Sequence, residues 1–483
     1  MSAFVSRPST RWWALVVLSL TELVVVLDVT IVTIALPEAQ QDLNLSDTQR
    51  QWVVTAYALA FGALLLLGGR VADYWGRKRT FMVGMVGFGA ASAWGGIASN
   101  GTELVIARAV QGTFAALLAP AALAMLTVIF THGRERNLAF AIFGTIAGTG
   151  AAVGLVLGGV LTEFASWRWC LLVNVVFVVI GIIGGLLFLG ESKADGDNRY
   201  DLWGAVTVTL GLGSLVYGFT LAEHGWSSAD TVVFLGLGVV LLAAFVWIQT
   251  KVEQPLLPLR VLLHGVRGGA FLVQAVVGAI MIGSLLYLTF HFQIVMGMSP
   301  LVSGLANVTM TVVIIALVPV VTKALNTYGP RPLMIAGPLF AAAGLLYLSD
   351  ITPDGDYVSE VLPALILLGV GLAMLFVPLQ NLALTGVDPQ DAGVASATVN
   401  STFHIGGSIG LAVFTVIYAR AVESSLAAGK PELTAFTDGY SATFIASAVA
   451  MVVASALSVA FIRGDKNDLI PRYDSEEAPV HTA

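Results

Sequence analysis

Gly69-Arg70-Val71-Ala72-Asp73-Tyr74-Trp75-Gly76-Arg77-Lys78-Arg79 joins two apolar runs, 51–71 and 80–98. The turn gathers charge, and the runs on either side are nearly free of it. Each run is about 20 residues long, the length a helix needs to cross the hydrocarbon core of a bilayer. Scanning outward finds fourteen such runs, from 12–36 at one end to 440–463 at the other. The chain is 57% apolar and only 11% charged, against about 45–50% and about 25% in ordinary soluble domains. That is too little charge to cover a water-facing surface. The runs are continuous rather than alternating in ten-residue segments, which excludes a β-barrel. The fold class is therefore all-α integral membrane, with 14 transmembrane helices. Residues 12–36 are too long for the apolar core of a signal peptide and carry Glu22 and Asp28, so they read as a retained helix.

All ten tryptophans lie near predicted span ends, as an interfacial belt requires. Lysine and arginine set the orientation. With the N-terminus inside, the cations collect on the cytoplasmic side. Only Arg50, Arg168, Arg420 and Lys430 fall on the other side, and Arg108 falls within a span. Both termini are expected in the cytoplasm. Hydrophilic breaks at 190–201 and 250–266 divide the chain into an N-terminal six-helix bundle (1–190), a linker with two extra central helices (191–266), and a C-terminal six-helix bundle with a tail (267–483). Two six-helix bundles suit transporters built from inverted repeats. A weak internal repeat agrees: Arg70–Arg79 aligns with Lys323–Pro332, placing Asp73 on Asn326 and Gly76 on Gly329.

The turn also carries a spacing. Gly69, Asp73, Gly76 and Arg77 resemble the loop signature G-x-L-A-D-x-x-G-R-K of the major facilitator superfamily, with Val71 in place of Leu. The resemblance implies a cytoplasmic gate in which Asp73, with Arg77 nearby, holds the two bundles together in one state. Leu27-Asp28-Val29-Thr30-Ile31-Val32-Thr33-Ile34-Ala35-Leu36-Pro37 is similar to the first-helix signature of the fourteen-helix drug:proton antiporter family, the EmrB/QacA type, with Thr33 at the usual Asn. Arg108-Ala109-Val110-Gln111-Gly112 resembles that family's R-x-x-Q-G. Gly150, Gly154, Gly158 and Gly159 match its glycine-rich antiporter motif, except that Leu155 stands where the family has Pro. Trp167-Arg168-Trp169 and Asn174 follow its W-R-W…N pattern. The stripe at 150, 154 and 158 permits close backbone packing against another helix.

Charges within a span are costly and mark function. Arg108 needs a partner, and the acids within spans are Glu22 and Asp28. They lie 120° apart around one helix, so only one can face Arg108. The motif match selects Asp28. Burial penalises a charged carboxylate and an arginine beside it favours one, a balance suited to proton exchange. Asp28, Arg108 and Glu22 are thus the proton-coupling candidates. Gln111, His291, Gln293, Gln380, Asn381, Asn400 and His404 are candidates for lining a substrate path. There is no G-x-x-x-x-G-K-[ST] nucleotide loop, and no histidine pair at metal-binding spacing. No cofactor is expected beyond a proton gradient. The single cysteine, Cys170, excludes an internal disulfide, and the net charge of −7 argues against nucleic acid.

The resemblance implies a proton-coupled exporter of small lipophilic compounds, multidrug or antibiotic efflux, in a bacterial inner membrane. The expected partners are the small lipophilic substrate, protons and membrane lipids, and the expected state is a monomer. A carrier of lipids or lipid-like metabolites on the same fold is the second reading, and a membrane sensor or enzyme the third. The orientation is testable with single cysteines on a Cys170→Ser background. An impermeant thiol reagent applied to intact cells should label Ser359→Cys and spare Ser192→Cys, and the reverse pattern would invert the topology.

Overall fold

The computed structural model describes residues 8–131, 133–193, 201–222, 225–387, 392–464 and 469; most of the 190–201 break therefore lies outside the described residues. Among them there is no strand. Lipid offers no partner for a free N–H or C=O, so each crossing segment satisfies its own backbone as a helix. The helices are α1 (Pro8–Leu43), α2 (Asp47–Trp75), α3 (Arg77–Gly96), α4 (Gly101–Ile129), α5 (Gly133–Phe164), α6 (Trp169–Phe188), α7 (Leu202–Leu221), α8 (Ala229–Gln249), the single turn α9 (Leu259–Leu262), α10 (Gly265–Phe290), α11 (Pro300–Tyr328), α12 (Pro330–Leu348), α13 (Leu362–Leu384), α14 (Ala392–Ala427) and α15 (Glu432–Phe461). A π-helical turn, His291–Val295, extends α10, and another, Tyr357–Val361, precedes α13.

Thirteen of these helices are long and apolar enough to cross a membrane. The long helix left out, α3, opens on Arg77-Lys78-Arg79 and is rich in glycine. The ends run past the apolar spans: α1 starts before Trp12 and continues through Pro37 to Leu43. Hydropathy reports the stretch that lies in hydrocarbon, whereas the helix continues through polar residues such as Gln40 and Gln41. Local signals place the starts. Ser46 and Gln49 form a reciprocal capping box on α2, and Asn100 caps α4.

Within α1–α6, α1 packs on α4, α5 and α6, α2 on α4, and α3 on α4 and α6. Within α10–α15, α10 packs on α14 and α15, α12 on α13 and α15, and α11 on α13. Small residues set the close crossings. A methyl group on Gly68 would collide with the Ala116 carbonyl of α4, and one on Gly278 with the Phe403 carbonyl of α14. The α7–α8 pair packs on itself and then against α2 and α14, through Leu59, Ala63, Leu212, Val216 and Ala412. The turns after α2 and after α11 share one construction, a single glycine between two helices. Gly76 has φ +125° and Gly329 φ +81°, a region that favours glycine.

The glycine stripe of α5 lies on α1. A Cβ at Gly150 would press on Leu23 and Val26, one at Gly154 on the Thr30 hydroxyl, and one at Gly158 on the Ile31 backbone. Gly154→Leu should therefore lower transport about tenfold or more while membrane insertion, which follows hydropathy, stays near wild type. Transport in vesicles normalised to protein content is the check, and wild-type flux would show that α5 and α1 separate freely.

Candidate functional site

Asp28 is fully buried in the middle of α1. Its Oδ2 lies 2.5 Å from Nη1 of Arg108 on α4. Its Oδ1 accepts from Gln111 Nε2 and from Asn174 Nδ2, both at 2.7 Å. Arg108, 1% exposed, donates onward to Gln111 Oε1 at 2.6 Å and through Nε to the Val53 carbonyl at 3.1 Å. Its guanidinium stands 4.3 Å from the ring centre of Tyr57, a cation–π contact that a dry site strengthens. Gln111 also donates to Ser92 Oγ at 2.8 Å. Five helices thus supply one polar knot: α1, α2, α3, α4 and α6.

Spacing explains how α4 serves it. Arg108 and Gln111 are three residues apart and share a helix face. Between them they satisfy both carboxylate oxygens, while Asn174 adds a third donor from α6. Removing either charge would leave the other buried without a counter-ion, which typically costs about 3–5 kcal/mol.

Glu22 is not part of the knot. It is partly exposed, and no hydrogen bond or ion pair of its side chain occurs among the described residues. Gln111, expected on the substrate path, is instead fully buried and engaged with Asp28, Arg108 and Ser92. The other substrate-path candidates are not gathered into one site. His291 is buried beside the Tyr440 ring. Gln293 donates to the Ile34 carbonyl at 3.0 Å. His404 packs edge-on to Phe61 at the α2–α14 contact. Asn381 is partly exposed, and Gln380 and Asn400 are exposed.

The two six-helix groups meet along α2 and α14, where Gly62 lies against His404 and Ile405, and through α5 and α11 at one end. Gly159 of α5 lies against Pro300 and Leu301 of α11, and Gly304 of α11 against the Leu155 carbonyl. Leu155, at the position of the family's proline, is 2% exposed and packs with Ile34, Leu285 and Val308. Glu163 crosses the same contact, accepting from Ser299 Oγ at 2.6 Å and Leu301 N at 3.0 Å. At the opposite end α5 and α11 stand clear. A Cβ at Gly144 or Gly148 would meet nothing within 4 Å, and α11 is largely exposed from Val312 to Tyr328.

The Gly69–Arg79 turn lies at that open end. Asp73 pairs with Arg77 at 2.8 Å, within the turn rather than across the two groups. Glu191, after α6, accepts from the backbone N–H of Lys78 and Arg79 at 3.1 and 3.2 Å, a carboxylate at the start of α3 where a helix favours negative charge. Arg70 and Tyr74 reach Pro255 and Gln254 after α8. At the closed end, Arg168 and Trp167 both bond Asp42, each at 3.0 Å.

Two readings need correction. Arg50, placed by topology in an outer loop, is only 4% exposed, because Asp47 neutralises it and aromatic rings cover it. Arg108 is therefore not the single buried cation. Asp201, at the start of α7, is also buried, accepting from Gly204 N and Gln249 Nε2. Asn174 had appeared only as part of a pattern, and Ser92 and Glu163 had no sequence signal beyond being polar.

The fold and this pairing invite comparison with known proteins. The Major Facilitator Superfamily profile matches residues 18–411. The chain belongs to the major facilitator superfamily. It is 43% identical to the puromycin resistance protein pur8 of Streptomyces alboniger over 432 residues, 89% of this chain and 86% of that one. It is 37% identical to the cephamycin export protein CmcT of Amycolatopsis lactamdurans, over 94% of this chain and 93% of that one. Its fold matches a crystal structure of the peptide transporter POT in complex with sulfate with TM-score 0.66 at 17% identity, covering 93% and 94% of the two chains. This superfamily member is a multi-pass membrane transporter, not an enzyme.

The knot gives a stability prediction. Arg108→Gln and Asp28→Asn should each lower the melting temperature of detergent-solubilised protein, and the double variant should recover part of the loss. Strict additivity would mean that the two side chains do not depend on each other.

Proposed function

We propose that this transporter exports small lipophilic compounds of the antibiotic type in exchange for protons, by alternating access. The observation that carries the reading is the Asp28–Arg108 pair, fully buried in a membrane-spanning bundle. A charge pair in hydrocarbon is costly and belongs to function by default. The similarity to resistance and export proteins for puromycin and cephamycin supports the class of cargo.

The proton acts at the Asp28 carboxylate. A proton on Oδ2 cancels the charge that Arg108 faces. Arg108 keeps the Val53 carbonyl, Gln111 Oε1 and the Tyr57 ring, so it need not leave the knot. What changes is the pull between α1 and α4. Because α1 also touches α5, α10 and α11, a shift of α1 reaches the closed end. With the Gly69–Arg79 turn on the cytoplasmic side, the described state opens inward. Asp73 and Arg77 are then released from inter-bundle contact and would engage it in the other state. Glu22, off the knot, serves as a second proton site or as a contact for cationic cargo. Both termini lie in the cytoplasm of a bacterial cell, and the unit is a monomer in which residues 1–190 and 267–483 rock about the cargo. One proton moving down 100 mV supplies about 2.3 kcal/mol, enough to accumulate a neutral cargo roughly fiftyfold.

The test is pH-jump-driven transport of puromycin in proteoliposomes, beside a susceptibility panel in a pump-deleted host. Asp28→Asn and Arg108→Ala should each lose proton-driven flux, and Asp28→Asn should still bind cargo. Glu22→Gln should be milder and cargo-dependent. Coupling that persists in Asp28→Asn and vanishes in Glu22→Gln would move the proton site to Glu22. Competition of flux by phospholipid rather than by antibiotics would assign a lipid cargo.

A further inference from the structure

Arg50 begins α2 at the closed end, on the opposite side of the membrane from the Gly69–Arg79 turn. Its guanidinium carbon lies 4.4 Å from the ring centre of Phe290 on α10 and 5.4 Å from that of Tyr418 on α14. Tyr418 stacks on Tyr287 at 5.7 Å and on Tyr440 of α15 at 5.2 Å. A cation from the first six-helix group thus enters an aromatic box built entirely by the last six. Its one ion pair among the described residues is with Asp47, on its own helix, at 2.9 Å. Gln40 of α1 touches both members, accepting from Arg50 at 3.4 Å and donating to Asp47 at 3.3 Å. Arg50 Nε has no hydrogen-bond partner. The head is therefore aimed by α1 and α2 and received by aromatic side chains of α10 and α14.

We propose that Arg50 is the latch of the outer gate: seated in the Phe290–Tyr418 box it holds the outer face shut, and it leaves the box each time that face opens. The chemistry suits repeated opening. A carboxylate in the box would be stranded without a counter-ion whenever the latch withdrew. Aromatic faces attract a desolvated cation and need no counter-ion when empty. Arg50 keeps Asp47 in both states, and arginine is less strongly hydrated than lysine, so entry into a dry box is easier. Other contacts across this end include apolar packing around Leu155, the Gln293 bond to the Ile34 carbonyl, and Glu163 on the start of α11. The latch places a cation of one group inside the other.

This inference rests on the alternating-access reading above. It is tested by an Ile34→Cys reporter on a Cys170→Ser background, because Ile34 is fully buried in the closed contact. The reporter is labelled in intact cells by an impermeant maleimide. Arg50→Gln should raise the labelling rate about tenfold, as expected when one state loses a contact the other never had. Phe290→Leu, which keeps the cation and removes a face, should do the same. The double variant should label no faster than the faster single, and Arg50→Lys should fall between wild type and Arg50→Gln. Unchanged labelling in both single variants, or a double variant whose rise is the product of the two, overturns the latch. If Arg50→Gln does not reach the membrane, Phe290→Leu and Tyr418→Leu decide the matter by the same rates. Proton-driven flux by the wild type is measured separately, so absent flux beside a responsive reporter would refute the transport cycle and leave the latch standing.

Discussion

A carboxylate and a guanidinium in contact, with no water to screen them, organise the first bundle. Asp28 and Arg108 are isolated from solvent, and in such a place an unpaired charge is not tolerated. The rest of the knot follows from satisfying what that pair leaves over. Asn174 and Gln111 occupy the second carboxylate oxygen, Val53 takes the Nε proton, and Tyr57 covers the guanidinium face. Helix placement follows as well. Glycines at 68 and 112 let α2 and α4 approach to backbone contact, bringing Val53 and Tyr57 within reach of Arg108. The polar knot and the small-residue crossings are one arrangement, since the glycine crossings set the distance at which Arg108 meets the Val53 carbonyl and the Tyr57 ring.

Sequence reasoning reached the charges and not their company. Asp28 and Arg108 were legible because hydrocarbon forces pairing, and few ionisable residues lie within spans. Gln111 was not legible as a member of the knot. A single polar residue on a helix face does not say whether it meets cargo or another helix, and the positions of Asp28 on α1 and Ser92 on α3 decide it. Arg50 was misread for a related reason. It lies near the polar start of a span, where a cation ordinarily reports topology. Its burial depends on Phe290 and Tyr418, which are far along the chain and which no local pattern connects to it. Helix existence followed from hydropathy, whereas helix ends did not, because α1 and α14 continue beyond the stretch that lies in lipid.

The two groups differ in how they hold charge. The α1–α6 group carries the paired ions and the buried Arg50, while α10–α15 presents rings, glycines and neutral polar groups to the contact. A bundle that carries fixed charge on both sides of a gate would strand one ion at each opening. Keeping the ions on one side would confine that penalty to a single group in an alternating-access cycle. It also leaves the second group free to offer apolar surface, which suits lipophilic cargo.

Helix α1 is where these two requirements meet. Asp28 points toward α4, while Leu27, Thr30 and Ile31 lie under the glycine stripe of α5. Six residues further on, at about 100° per residue, Ile34 has turned about 240° and faces Leu155 and Leu285 in the closed contact. Its carbonyl receives Gln293 from the other group. Fewer than two turns of one helix therefore connect the carboxylate to the closed contact. The distance is short and the helix backbone stiff, so a displacement at Asp28 in the proposed cycle would reach Ile34 with little loss. Leu155 sharpens this dependence. A proline there would weaken the helix by removing a backbone hydrogen bond, whereas leucine keeps α5 continuous and adds an apolar side chain to the contact. In this chain α5 is a continuous helix packed on α1 through its glycines, so under alternating access the compliance that the family's proline would supply would have to come from those glycine crossings.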